Sequence, residues 1–331
     1  MLYEINNLSR IIGRKQYEYM RNFYSKRSYN VLFFGSDSIA LSSLRKVNEF
    51  RKNSHKIKCL NIVTSNTSKN RTVIEKYAAS ERLQILTWPL TIQPGEYDIG
   101  LIVAFGHLIK HSVLQHFPMW RGAAPIIHTL LHGDQITGVT LMKIKPDVFD
   151  VGEIISQKIV PISQDIRLPE LTEQLSEIGA DMLVQCIESL PDSLTQTKPQ
   201  SSEGVTYAKK INKTLSEVRW TEMDALQVYN LYRAIYGLYP LTTKFRDKQM
   251  KLFNAFIYDN YVADPSVPVG TLEFCQKSEA VKILCRDRKY IHFKSLRIVG
   301  KREISALDFY NGYIKNVSED KRKCSVLQRT N

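Results

Sequence analysis

Two side chains that can carry a proton stand at glycine-marked turns of this sequence: His107 in the run FGHL (105–108) and Asp150 in the run FDVG (149–152). By residue type alone, an Asp beside a Gly is first a turn residue, and a loop histidine faces solvent more often than chemistry. Gly35 and Ser36 close an apolar run and open a helical one. Free backbone N–H groups at such a helix start can face an anion or a polar ligand, and a tight strand-to-helix turn explains the glycine equally well. Arg121, in WRG ahead of Gly122 and Pro125, reads either as an ion pair anchoring a helix start or as a ligand contact. Lys209, Lys210 and Lys213 form a basic segment suited to phosphates, with plain solvation as the default reading. The five cysteines (Cys59, Cys186, Cys275, Cys285, Cys324) show neither a CxxC pair nor zinc-ligand spacing, so they read as reduced thiols and no metal is expected.

The elements that must hold these residues follow from periodicity. Apolar runs at 29–34, 57–64, 83–87 and 97–104 read as buried strands, with helices at 38–50 and 71–82 between them. Alternating strands and helices imply a parallel, doubly wound sheet whose ligands sit beyond the carboxyl ends of the strands, where Gly35 and Gly106 both lie. Beyond Gly106, residues 108–117 and 124–132 both read as helix with only 118–123 between them. No strand separates the two, which a βαβ sheet requires. Strands at 137–144 and 153–160 then flank a turn at 146–152, and a helix at 169–190 closes the domain. Residues 191–204 are rich in Pro, Ser, Thr and Gln, as a linker should be. A helix at 224–236 and five short strands (242–245, 250–257, 270–274, 280–285, 290–299) imply a small β-barrel of the oligonucleotide-binding type.

Charge divides along the same boundaries. Of the net +13, residues 1–30 carry +4, residues 31–203 carry −1 and residues 204–331 carry +10. A near-neutral first domain joined to a basic second one implies a polyanion on the second, and an RNA fits better than a small acidic metabolite. The first 28 residues mix Arg and Lys with Tyr, Ile, Leu and Ser, as a mitochondrial targeting segment does, although Glu4 and Glu18 weaken that reading. No uncharged apolar run reaches the ~18 residues of a membrane span. The expected organisation is a targeting segment at 1–28, an α/β domain at 29–190, a linker at 191–204, a barrel domain at 205–318 and a basic tail at 319–331.

Four stretches together resemble the methionyl-tRNA formyltransferase family: VLFFGSDSIA (31–40); WRGAAPI (120–126) with HGD (132–134) and TGVT (137–140); FDVG (149–152); and TYAKKINK (206–213) running to Trp220. Their order and approximate spacing match over residues 29 to 315. The resemblance implies a Rossmann-like formyltransferase domain followed by an OB-like tRNA-binding domain. It also implies transfer of a formyl group from 10-formyltetrahydrofolate to the amino group of initiator methionyl-tRNA, in the mitochondrial matrix and without metal; a monomer is the default expectation. Such a site must stabilise a tetrahedral oxyanion and move one proton from the attacking amine to the leaving folate nitrogen.

Residue by residue, the resemblance makes Asp150 the catalytic aspartate, which orients a histidine and keeps it protonated. It puts Phe105, Gly106, His107, Leu108, Asp147 and Gly152 around the folate, with His107 on the cofactor loop rather than in the chemistry. Gly35, Ser36, Lys69, Arg71, Arg121, Gly122, Lys209, Lys210 and Lys213 fall to the tRNA side. The loop after the second strand, SNTSKNR (65–71), is shorter than the Gly-, Arg- and Lys-rich insert of many bacterial members, so Lys69 and Arg71 replace at most part of it.

One segment of the family pattern is missing. Phe117-Pro118 passes directly to Met119-Trp120-Arg121-Gly122, where the family places about a dozen residues carrying Asn-x-His and a central strand. The strand count above points to the same gap. His111 and His116, on the preceding helix, are poor substitutes. The alternative to an active enzyme is therefore a splice form or relative that binds tRNA without the Asn/His pair. A third reading is a folate formyltransferase acting on a small amine, which the WRGAAP motif and the basic second domain oppose.

Overall fold

The computed structural model describes residues 28–64, 71–90, 92–93, 96–105, 124–144, 152–190, 192–195, 197–199, 208–259, 261–318 and 322–325. They divide into two compact units. None of the helices among them is long and apolar enough to cross a membrane.

In the first unit β1 (Tyr29–Phe34), β2 (Ile57–Thr64), β3 (Ile85–Thr87) and β4 (Ile99–Ile102) pair in parallel in the order β3-β2-β1-β4. The expected α/β class holds. Val31–Phe34 of β1 is an unbroken apolar run because both faces of the strand are covered. Val31 and Phe33 enter a core with Ala40, Leu44 and Val47 of helix α1 (Ser38–Asn53), while Leu32 and Phe34 enter a second one with Val63, Ile102 and Phe105. Helix α2 (Val73–Ser80) adds Ile74 and Ala78 to the first core.

Helix α3 (Pro125–His132) leads into β5 (Ile136–Ile144) and β6 (Gly152–Pro161), an antiparallel pair extended by β7 (Lys198–Pro199) on β6. Helix α4 (Leu168–Glu188) sends Leu183 and Ile187 into the α1 core, and its Gly179 lies against Val139 of β5. Among the described residues the β3-β2-β1-β4 and β5-β6-β7 sheets share no strand. Residues 191–204 differ from a bare linker. Thr197 Oγ1 donates to Glu153 at 2.9 Å, and Lys198 and Pro199 pair with β6, because an edge strand's backbone groups accept any partner whatever its side chains.

The second unit takes in Ala124–Gln135 and Ile162–Leu171 as well as the chain from Lys209, a division that composition did not reveal. The cause is packing. Leu131 of α3 joins the core of this unit, and Gly133, left-handed at φ 72°, stands so close to Asn230 of α5 (Ala225–Ala234) that a Cβ would meet its Nδ2 at 2.6 Å. Arg233, buried on α5, donates to the carbonyls of Ser163 and Ile166 at 3.3 and 3.4 Å.

The remainder is a barrel: β8 (Leu241–Phe245), β9 (Lys248–Phe256), β10 (Leu272–Cys275), β11 (Ala280–Leu284), β12 (Tyr290–Ile298) and β14 (Cys324–Ser325), in the order β10-β11-β12-β9-β8-β14. Strand β13 (Ile304–Ser305) pairs with β12 and leads into helix α6 (Ala306–Phe309). All five expected strands are present, and β9 crosses over to lie beside β12 in Greek-key fashion. The sixth stave corrects the reading of residues 319–331 as a tail. Leu272 N donates to Arg322 O at 2.8 Å and Cys324 N to Gly270 O at 2.9 Å, so the segment 322–325 closes the ring between β8 and β10.

Candidate functional site

The carboxyl ends of the parallel strands gather the first set of site residues. Gly35 is held tightly: a Cβ there would come within 2.6 Å of Ala40 Cβ and 2.7 Å of a Phe33 ring carbon, and its amide donates to Val63 O at 3.1 Å. Two amides of the following helix start are already taken, which narrows what the turn at Gly35 and Ser36 can offer a ligand. Asp37 caps α1, its carboxylate accepting from Ile39 N at 2.9 Å and Ala40 N at 3.1 Å. With a carboxylate already there, this helix start disfavours a second anion. It suits a neutral polar group instead.

Phe105 is 3% exposed and packs edge-on against Phe34 and Trp88, both at 5.4 Å between ring centroids. Its side chain is therefore core. It anchors the loop that it opens, and only its backbone can serve a ligand. Gly106, His107 and Leu108 lie outside the described residues. Thr64, at the carboxyl end of β2, was not singled out from the sequence. It is 2% exposed, and among the described residues its hydroxyl has no hydrogen-bond partner, a buried polar atom that a bound group would satisfy.

The β5–β6 hairpin supplies the second set. Ile144 pairs with Gly152, so the seven residues 145–151 leave and rejoin the hairpin at one rung. Gly152 is buried there. Asp147 and Asp150 lie outside the described residues, as do Lys69, Arg121 and Gly122. Arg71 is exposed just before the capping box of α2, where Thr72 Oγ1 accepts from Glu75 N at 3.1 Å. A cation at a helix start gains nothing from the helix dipole, which leaves Arg71 available to a ligand.

In the second unit Lys209, Lys210 and Lys213 are all exposed. The carbonyl of Lys209 accepts from His128 Nε2 at 3.0 Å, and Asn212 caps the 3-10 turn Lys213–Ser216 by accepting from Thr214 N at 3.0 Å. The basic segment is thus fixed at its backbone while its ammonium groups stay in water. His128 and His132 stack at 6.0 Å, and His132 Nδ1 donates to His128 O at 2.7 Å. Their i, i+4 spacing on α3 was the signal that sequence reasoning passed over. Among the described residues no three His, Cys, Asp or Glu side chains are grouped to hold a metal.

Comparison with known proteins gives this arrangement its family. Residues 30–187 match the formyl transferase domain and residues 210–314 the formyl transferase C-terminal domain. The mitochondrial methionyl-tRNA formyltransferase of Bos taurus is 36% identical over 310 positions, covering 87% of this chain and 78% of the bovine protein. That of Homo sapiens is 36% identical, with 87% and 79% covered. The fold is shared with WlaRD, a sugar 3N-formyl transferase solved with dTDP and 5-N-formyl-THF, at TM-score 0.61 and 17% identity over 83% of this chain and all of that one. An N-formyltransferase from Helicobacter canadensis, with folinic acid and dTDP-3-aminofucose, also gives 0.61 and 17%, over 80% of this chain and 98% of that one. With both domains matched in order and a third of its residues shared with the mammalian proteins, the chain belongs to the methionyl-tRNA formyltransferase family.

Proposed function

We propose that this chain derives from, and is built to work as, a mitochondrial enzyme that moves the formyl group of 10-formyltetrahydrofolate onto the amino group of initiator methionyl-tRNA. The observation that carries the reading is the 36% identity to mammalian mitochondrial methionyl-tRNA formyltransferases across 87% of the chain. In the reaction the amine attacks the formyl carbon, the tetrahedral adduct collapses, the bond to the folate nitrogen breaks and the amine's proton ends on that nitrogen. Asp150 is the group assigned to orient and charge a histidine for that transfer. Folate binding falls to the backbone at 105–108, Asp147 and Gly152, with the Thr64 hydroxyl a further polar contact. Lys209, Lys210 and Lys213 take tRNA phosphates, with Arg71, Lys69, Arg121 and Gly122 nearer the acceptor end. The monomer is the proposed working form.

A second reading, a tRNA-binding relative without catalysis, is favoured by a specific shortfall. The bovine alignment runs over 310 positions but uses 87% of 331 residues, or about 288, so about 22 of its positions face no residue of this chain. Among the described residues no strand joins the β3-β2-β1-β4 and β5-β6-β7 sheets, which is consistent with the loss of a central strand carrying the Asn-x-His pair.

A formylation assay separates the two. This chain and a version with the Asn-x-His segment restored after Pro118 are incubated with 10-formyltetrahydrofolate and methionyl-tRNA. Formylation by the restored protein alone supports both the family chemistry and its loss here. Equal activity in both would overturn the catalytic assignment, and none in either would overturn the enzyme reading. Replacing Lys209, Lys210 and Lys213 by Ala is expected to weaken tRNA binding and to reduce the slope of log K against log salt by about 0.7–0.9 per lysine that meets a phosphate.

A further inference from the structure

The outer side of β9 and β12, with the connection that leaves β9, carries rings and cations that the formyl-transfer reading does not use. Register places Lys251 opposite Arg297, Phe253 opposite Ser295, and Phe256, His292 and Lys282 in one row across three strands. Four rings of this face have a cation over them. The Arg297 guanidinium lies 5.3 Å from the Phe253 centroid, Lys294 Nζ 5.5 Å from Phe256, and Lys282 Nζ 3.9 Å from Tyr290 and 5.8 Å from Tyr261.

At the end of this strip Tyr258 is 47% and Tyr261 58% exposed. The Tyr258 ring stands 5.6 Å from that of His292, which is 1% exposed and whose Nδ1 has no hydrogen-bond partner among the described residues. Wet tyrosine rings beside an unsatisfied buried nitrogen describe a surface that is completed by something else.

The chemistry of that something follows from the mixture. Aromatic faces flanked by cations accept nucleobases by stacking and neutralise the phosphates between them, whatever the base. A paired RNA helix would offer the phosphates but keep its base faces hidden. We infer that this outer face of the barrel is a stacking platform for unpaired RNA nucleotides, offering the ring of Tyr258 and the face of Tyr261 turned away from Tyr290, on which Tyr261 stacks at 6.4 Å, with Arg297 and Lys294 as its phosphate partners. Carboxylates temper the charge: Glu273 pairs with Lys282 at 3.0 Å, Glu303 accepts from Ser295 Oγ at 2.6 Å, and Asp259 follows Tyr258. Stacking therefore supplies most of the affinity, and the salt dependence is shallow, with a slope of about −1.4 for two phosphate contacts on a single strand.

The test needs neither folate nor an aminoacyl group, so its failure is distinct from a failure of formyl transfer. Fluorescence anisotropy follows the full chain binding an unstructured single-stranded RNA decamer, and the same decamer paired with its complement. The double variant Tyr258→Ala/Tyr261→Ala is expected to bind the single strand about tenfold more weakly or worse, and Tyr258→Phe/Tyr261→Phe about as well as the parent. Circular dichroism melts check that both variants fold. The inference is overturned if the Ala pair binds the single strand like the parent, if the duplex binds as well as the single strand, or if the parent binds neither.

Discussion

Trp220 donates its indole N–H to Thr243 Oγ1 at 2.8 Å, both groups buried, and Thr243 Oγ1 in turn donates to Ser325 O at 3.1 Å. Three distant parts of the second unit meet in that chain: the end of the TYAKKINK segment, strand β8 and the last stave β14. Replacing Thr243 by Val keeps the volume but leaves a buried indole N–H without an acceptor, a loss of roughly 1–3 kcal/mol. Thr243→Ser is expected to retain most of the stability. Urea denaturation followed by tryptophan fluorescence reads both, and a Val variant as stable as the parent would disprove the role given to this bond.

Barrel closure passes through a backbone approach that a methyl group would disturb. Gly270 has φ 84°, and a Cβ on it would lie 2.6 Å from Cys324 O, in the segment that closes the ring. Gly270→Ala is expected to cost about 1–3 kcal/mol, from the left-handed backbone and from the displaced stave together. Amide exchange at Leu272 and Cys324, the two donors across the seam, should speed up in the variant while exchange within β9 and β12 changes less.

The strands were readable wherever side chains declared a face. Val31–Phe34 of β1 is an apolar run because both sides of the strand are covered, and β9 alternates because one side is wet. Strand β14 was unreadable for the opposite reason. Cys324 and Ser325 follow Lys321, Arg322 and Lys323, and what makes them a stave is backbone pairing, to which composition is blind. The membership of α3 in the second unit was hidden too, since it depends on Gly133 meeting Asn230 about a hundred residues later. At the site, the tight approach at Gly35 was legible as a glycine between an apolar run and a helical one. The occupation of the α1 start was also legible, in Asp37 ahead of Ser38 and Ile39, but the glycine drew attention away from it.

That cap carries its own expectation. Asp37 satisfies two amides that would otherwise be orphans, so Asp37→Ala should lower stability by about 1 kcal/mol and Asp37→Asn by much less. Because the Ala variant also frees the helix start, it should gain a weak affinity for inorganic phosphate that the parent lacks. Isothermal titration with phosphate checks this, and phosphate binding by the parent would mean that the carboxylate does not exclude anions.

His292 predicts how stability depends on pH. Burial pushes its imidazole down from 6.5 to about 4, with the nearby ammonium groups of Lys282 and Lys294 acting in the same direction and Asp259 opposing them. The folded state therefore binds a proton less readily than the unfolded chain. The contribution is fully present above about pH 6.5 and is lost as pH falls through the folded value near 4. The full difference amounts to about 3 kcal/mol, from 1.36 kcal/mol per unit. Urea midpoints measured at pH 7.5 and pH 5 should fall together with acid in the parent and separate less in His292→Gln, whose neutral amide has no proton to take up. An unchanged pH dependence in that variant would place the acid-sensitive group elsewhere in the chain.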